Sequence, residues 1–300
     1  MPRPAVVALF GPTAVGKTAV AIALADRLRD HGEDPVAVSA DALQVYAGLE
    51  ILTGAATSEE QARLEHRLLG HLPVTETHSA GAYAQRAHRE IDALLAAGRR
   101  PIVVGGTGLY LRAALAELDL RPPPPPGVRE RWLDELDAHG APALHARLHA
   151  RDPAAAARIA PADAHRIVRA HELLDTGARP PDGPQLWTTE TRHPTLLAGL
   201  TMDRAALARR IDARIDAMVA AGAQDEVRRA DAAGASPTAR KALGFQDLLD
   251  GDVEAMKRRT RAYARRQLTW MRKLPGVHLV DLTDTDPDAA AAEIEGMMRA

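Results

Sequence analysis

Cysteine is absent from all 300 residues. That excludes disulfides and every metal site built on thiolates. Aromatic residues are scarce, at 3% of the chain. No apolar run reaches the roughly 18 residues that a membrane-spanning helix needs, and no membrane association is expected. The chain opens on an apolar strand and a glycine-containing loop, unlike a signal peptide, so a cytoplasmic protein is expected. Histidine is present 12 times, but no H-x-x-x-H pair carries a glutamate between its members, which removes the usual zinc signature. The net charge of −2 gives no global attraction to nucleic acid, so any such binding must come from local patches. A hydrophobic fraction of 46% against 26% charged residues suits a chain with a sizeable core.

The first informative stretch comes at once. Ala5 to Phe10 is a short apolar run that leads into Gly11-Pro12-Thr13-Ala14-Val15-Gly16-Lys17-Thr18. This is G-x-x-x-x-G-K-[ST], a phosphate-binding loop. Its glycines let backbone N–H groups approach phosphate oxygens, and the helix predicted from Ala19 to Arg29 adds the positive end of its dipole. Gly11, Thr13, Ala14, Val15, Gly16, Lys17 and Thr18 are therefore the candidate diphosphate cradle. Lys17 supplies a point charge, and the Thr18 hydroxyl suits a Mg²⁺ ligand.

Beyond the loop, 35–40 (PVAVSA) reads as a second buried strand ending at Asp41, and 101–104 (PIVV) as a third that opens into Gly105-Gly106-Thr107-Gly108. Charged residues recur at helical spacing from Thr57 to Leu69. Ala80 to Ala97 is predicted helical, with Tyr83, Ala87, Ile91, Leu94 and Leu95 three and four apart. Alternating strands and helices imply an α/β fold: a parallel sheet of the P-loop type with helices on both faces. Ligands then sit at the carboxyl ends of the strands, so Thr18, Asp41 and Thr107 should converge. Pro122 to Pro126, five prolines in a row, makes a stiff spacer. Val128 to Thr176 is helical in pattern, and Pro180, Pro181 and Pro184 close the segment. We read 117–186 as an all-helical insertion in a core formed by 1–116 and 187–300. Within that core, Thr195 to Met202 resumes strand character. Arg204 to Arg229 and Val253 to Leu274 read as helices, Val277 to Asp281 as a strand, and Asp286 to Ala300 as a last helix.

Four features carry chemistry. Asp41, at a strand end near the loop, suits a metal ligand, a general base or a helix N-cap. The third strand ends in Gly-Gly-Thr-Gly, where phosphate-loop ATPases usually carry an aspartate. That argues against nucleotide hydrolysis and leaves either a loop wrapped around substrate or a plain glycine turn. Arg214 sits about 20° from Leu207 on the helix wheel, inside an apolar stripe completed by Ile211, Ile215 and Met218. A guanidinium there needs a partner, either a diphosphate or a core carboxylate. The fourth feature is 257–273, which holds eight Lys/Arg and no acid. Arg258, Arg261, Arg265 and Arg272 form a stripe interleaved with Tyr263 and Trp270. Such a stripe tracks an RNA backbone and stacks on its bases, or is merely a solvated face.

Six segments in this order resemble the tRNA dimethylallyltransferases (isopentenyl-diphosphate:tRNA transferases). They are 11–18 (GPTAVGKT), 39–46 (SADALQVY), 104–110 (VGGTGLY), 166–170 (RIVRA), 241–245 (KALGF) and 260–270 (TRAYARRQLTW). The resemblance spans nearly the whole chain, and the R-R-Q-L-T-W ending is its most specific part. It implies transfer of a dimethylallyl group from dimethylallyl diphosphate to N6 of the adenosine 3′ of the anticodon in tRNA. By similarity, Asp41 is the general base, Thr18 holds Mg²⁺, Arg214 holds the diphosphate, and Thr107 lines the reaction channel. Asp41, Gln44, Thr107, Arg129, His165, Arg166, Arg169, Lys241, Arg265, Arg266, Gln267, Trp270 and Arg272 match tRNA-contacting segments. The insertion would clamp the anticodon stem-loop, and a monomer is expected. The sequence departs from the family pattern at Ala42, at Leu52, Gly54 and Ala55 (where D-I-G-T-A-K is usual), at His165, and at Lys241 and Phe245. Rival readings are a small-molecule kinase, a prenyltransferase acting on free adenine nucleotides, and a nucleotide-gated RNA-binding module.

Overall fold

The computed structural model describes residues 4–180 and 185–299; Pro181 and Pro184, read above as closing the helical segment, lie outside them. Its main sheet contains β1 (Val6–Phe10), β2 (Pro35–Ser39), β3 (His66–Arg67), β4 (Arg100–Gly105), β5 (Thr195–Thr201) and β6 (Val277–Asp281). The order is β3-β2-β4-β1-β5-β6, and every pairing is parallel. All five residues of β1 are buried, which explains why they show no polar alternation.

The longer helices are α1 (Lys17–Asp30), α2 (Ala80–Ala96), α3 (Gly108–Leu115), α4 (Val128–Arg151), α5 (Ala164–Asp175), α6 (Arg204–Ala220), α7 (Ala223–Ala232), α8 (Val253–Met271) and α9 (Pro287–Arg299). The crossover through α1 runs from β1 outward to β2, and that through α2 returns from β2 to β4. Right-handed crossovers in opposite directions place their helices on opposite faces. One face therefore carries α1 packed on α9, and the other α2 packed on α3.

Two expected helices are different in the structure. The segment 57–69 forms only a short helix, Ser58–Arg63, opened by a capping box between Thr57 and Glu60. It stops because Leu64 turns extended into the core and the chain continues as the edge strand β3. The expected helix from Arg204 to Arg229 is two helices. Gly222, at φ 94°, breaks the backbone between α6 and α7 in a conformation that costs other residues strain.

The chain divides into two compact units, 1–118 with 186–300 and 119–185. The smaller unit is helical. Its α4 is kinked at Gly140 (φ 76°, ψ 162°), just before Pro142. Leu144, Ile167 and Val168 form its core with Trp132, whose ring stacks on His171 at 4.0 Å. In the larger unit, the two strands of chain that border this excursion are tied together. Arg192 N donates to Leu115 O at 2.8 Å, and the Arg192 guanidinium binds Glu117 and Asp92.

Candidate active site

The register fixes where the motifs meet. Phe10 aligns with Gly105 across β1 and β4, and Ser39 with Val104 across β2 and β4. The phosphate loop, Asp41 and the Gly-Gly-Thr-Gly turn thus leave the same sheet edge, above a cavity of about 1060 Å³. Thr13, Ala14, Gly16, Lys17, Thr18, Asp41, Gln44 and Arg214 all line it.

Ala14 (φ 65°) and Gly16 (φ 111°) adopt left-handed backbone conformations, which curl the loop over the start of α1. The first-turn amides from Lys17 onward have no acceptor within the helix and point outward, as anion sites at helix N-termini do. Lys17 Nζ donates to the carbonyls of Gly11 (3.0 Å) and Pro12 (2.9 Å). Burial, reinforced by Arg214 and only partly offset by Asp41, pulls the Lys17 pKa down to about 8. Three loop amides are taken: Thr13 N donates to Gln267 Oε1 at 2.9 Å, Gly11 N to Gly105 O at 3.4 Å and Val15 N to Pro12 O at 3.3 Å. Gly11 and Val15 are buried beneath the loop and shape it from below.

Asp41 caps no helix. Its Oδ1 accepts the backbone amides of Leu43 (2.9 Å) and Gln44 (3.4 Å), a local turn that fixes the carboxylate, while Oδ2 has no partner among the described residues. Burial and the Asp41 charge raise the pKa values of the Tyr83, Tyr110 and Tyr263 phenols, which therefore stay neutral.

Arg214 pairs with no core carboxylate among the described residues and lines the cavity. Its Nη2 donates to the Gly54 carbonyl at 2.9 Å, an oxygen shared with Gln44 Nε2 at 3.2 Å. Burial lowers its pKa, while Glu60 and Asp41 raise it. Gly54 takes a left-handed conformation (φ 57°) that favours glycine, and a Cβ there would stand 1.7 Å from Arg214 Nη2 and displace the guanidinium from this contact. The sequence offered a hint, since Gly54 departs from the family alanine.

Thr107 does not line the cavity directly. Its Oγ1 lies 3.2 Å from the hydroxyl of Tyr263, which does. The glycines of this turn serve close packing of protein on protein. A Cβ on Gly105 would meet Ala40 O at 2.3 Å, and one on Gly108 would meet the Trp270 ring at 2.1 Å. Trp270 in turn packs on Trp187, ring centroids 4.6 Å apart.

The basic helix α8 is only half a free surface. Lys257 pairs with Asp216, Arg258 with Asp252, Arg259 with Asp247 and Arg261 with Asp212. Arg265, Arg266 and Arg272 are exposed without a carboxylate among the described residues, and Arg266 lies over the Tyr263 ring. Gln267, expected to touch RNA, is instead 5% exposed. Its Nε2 donates to Gly106 O at 2.7 Å while Oε1 holds Thr13 N, so both ends of the amide are used within the site. Its periodicity was the missed signal: Thr260, Ala264, Gln267 and Met271 form the buried stripe of α8.

In the smaller unit, Arg129 and Arg169 are tied to an internal partner. Both bind the buried Glu172 carboxylate, at 2.6 and 3.0 Å. His165 and Arg166 are exposed on the first turn of α5, and Lys241 is exposed in the larger unit.

A family model described as IPP transferase matches residues 44–274. A tRNA dimethylallyltransferase from Thermobifida fusca is 44% identical over 285 residues, covering 91% of this chain and 88% of that protein. The full-length tRNA isopentenylpyrophosphate transferase from Bacillus halodurans superposes with a TM-score of 0.70 at 32% identity, covering 98% of this chain and 95% of that one. A eukaryotic dimethylallyltransferase, captured in crystals acting on tRNA, gives a TM-score of 0.70 at 25% identity over 93% of this chain and 74% of its own. With a phosphate loop, a strand-end carboxylate and a basic helix meeting at one sheet edge, this chain belongs to the IPP transferase family.

Proposed function

We propose that this chain transfers a dimethylallyl group from dimethylallyl diphosphate to N6 of the adenosine 3′ of the anticodon in tRNA. The observation that carries the reading is one cavity with cations on one wall and a half-free carboxylate on another: Lys17 and Arg214 face Asp41. In the reaction, N6 attacks C1 of the dimethylallyl group and the C1–O bond breaks. Asp41 Oδ2 takes the proton that the amine loses, and diphosphate leaves. Lys17, the first-turn amides of α1 and Arg214 stabilise the charge that develops on the departing oxygen. Asp41 is suited to its part because two backbone amides fix one oxygen and leave the other for the amine.

The site fits Mg²⁺ as a partner of the diphosphate. The Thr18 hydroxyl lines the cavity, and no cluster of three or more His, Asp or Glu forms a protein cage among the described residues. Mg²⁺ bound through one protein oxygen, phosphates and water would add positive charge beside the leaving group. The exposed residues Arg265, Arg266 and Arg272 supply phosphate contacts for tRNA. His165 and Arg166 are the exposed basic turn of the helical unit, which we assign to the anticodon stem-loop. We expect the chain to act as a monomer, and a tRNA substrate suits a cytoplasmic enzyme.

The test is incubation with dimethylallyl diphosphate, Mg²⁺ and tRNA, followed by nucleoside analysis. N6-prenyladenosine is the expected product, and its absence with every tRNA tried overturns the reading.

A further inference from the structure

Two arginines of α6 face the cavity, and they are held differently. Arg214 is half-buried and spends one N–H on Gly54 O. Arg210, one helical turn before it, is exposed and makes no hydrogen bond or ion pair among the described residues. Its Nη2 lies 3.5 Å from where a Cβ would stand on Gly16, the loop residue that precedes α1. The guanidinium therefore rests against the phosphate loop itself.

This placement brings like charges together. Like charges four residues apart on a helix repel, and the charge of Arg210 helps depress the Arg214 pKa. Arg214 in turn depresses Lys17. Three cations thus surround one end of the cavity. The nearby carboxylates offset them only in part: Glu60 and Asp41 favour the charged form of Arg214, but Glu50, Glu60 and Asp41 are engaged by the backbone amides of Gly48, Thr57, and Leu43 and Gln44, and none forms an ion pair with the three cations among the described residues. A ligand carrying several negative charges relieves both repulsions at once, and a singly bridged monoanion does not.

We propose that Arg210 is a third cationic contact to the diphosphate, reaching it across Gly16, and that it makes the cradle prefer a diphosphate to a monophosphate. The proposal rests on the diphosphate reading of the site but not on prenyl transfer, so the two are tested apart. Calorimetric titration with inorganic diphosphate and Mg²⁺, and separately with orthophosphate, compares the wild-type chain with Arg210→Ala and Arg210→Lys. Loss of one charge-assisted contact predicts diphosphate affinity about ten- to a hundredfold weaker in Arg210→Ala, a change of less than about threefold for orthophosphate, and partial recovery in Arg210→Lys. The melting temperature should not fall, because Arg210 has no partner to lose among the described residues. In the transfer assay, KM for dimethylallyl diphosphate should rise while KM for tRNA stays.

Diphosphate affinity in Arg210→Ala within about twofold of wild type, or no diphosphate binding by the wild type, overturns the assignment. A loss of diphosphate binding in a protein that prenylates no tRNA would support Arg210 and sink the transferase reading instead.

Discussion

The Thr13 backbone amide donates to the Gln267 side chain at 2.9 Å, and through that bond α8 grips the phosphate loop. The same side chain donates to Gly106 O, so one buried amide ties the loop after β1 to the turn after β4. Gln267→Ala would leave both backbone groups without a partner, at a cost of about 2–4 kcal/mol by the usual penalty for unsatisfied buried groups. Urea denaturation should show that loss, and diphosphate binding should weaken with it because the loop is no longer held.

Asp41 is assigned the amine proton. Asp41→Asn keeps the shape and removes the basicity, so turnover should fall by roughly 10²–10⁴. Binding of dimethylallyl diphosphate should persist, since Asp41 contributes no positive charge to the cradle. Single-turnover kinetics beside equilibrium binding checks both halves, and near-normal turnover would remove Asp41 from the mechanism.

Lys17 gives the site a pH dependence. With its pKa near 8, it is charged at neutral pH and loses its proton above that value. A bound diphosphate favours the protonated form. Diphosphate affinity should therefore fall as pH rises through about 8, and titrations at pH 7 and pH 9 should differ in that sense. The sign for folding is opposite. The unfolded chain, with lysine near 10.5, binds more protons between those values, so this residue alone makes stability rise over that range.

His78 acts at the other end of the scale. Its Nε2 is buried without a partner, and burial, aided by His71 and Arg86, pulls its pKa to about 4. The unfolded chain takes up that proton near 6.5, so stability should fall as pH drops from about 6.5 towards 4. Burial lowers His71, His66 and His171 as well, which adds to the same slope. Urea midpoints at pH 7 and pH 5 measure it, and His78→Phe, packed against Tyr83 and Tyr110, should flatten it.

The free half of α8 should behave as a phosphate contact surface. Arg265→Ala with Arg272→Ala should weaken tRNA binding for all sequences alike and reduce the salt slope by about one per lost contact. Binding of dimethylallyl diphosphate should not change. Retention of the full salt slope would place the RNA elsewhere.

The sheet and its ligand edge were legible from sequence because they depend on local patterns. Buried strands read as apolar runs, and a phosphate loop needs glycine, lysine and threonine at fixed spacing. Partners across long stretches of chain were not legible. Arg129 and Arg169 look like surface cations until Glu172 folds between them. Gln267 looks like part of a basic stripe until the helix rotates it inward onto Thr13 and Gly106. Arg214 read as a residue needing a partner; within the protein that partner is the Gly54 carbonyl, which no charge pattern reveals. The Gly222 break went unread because glycine within an alanine-rich helical pattern costs only about 1 kcal/mol and is often tolerated.

The tie between Arg192 N and Leu115 O closes the neck from which the helical unit departs. A chain that is already closed at its base can vary in length beyond that point at little cost, since each doubling of a loop adds only about 0.6 kcal/mol of closure entropy. The neck therefore separates two kinds of evolutionary freedom. Residues beyond it can change in number at little cost to the sheet edge that carries the candidate site.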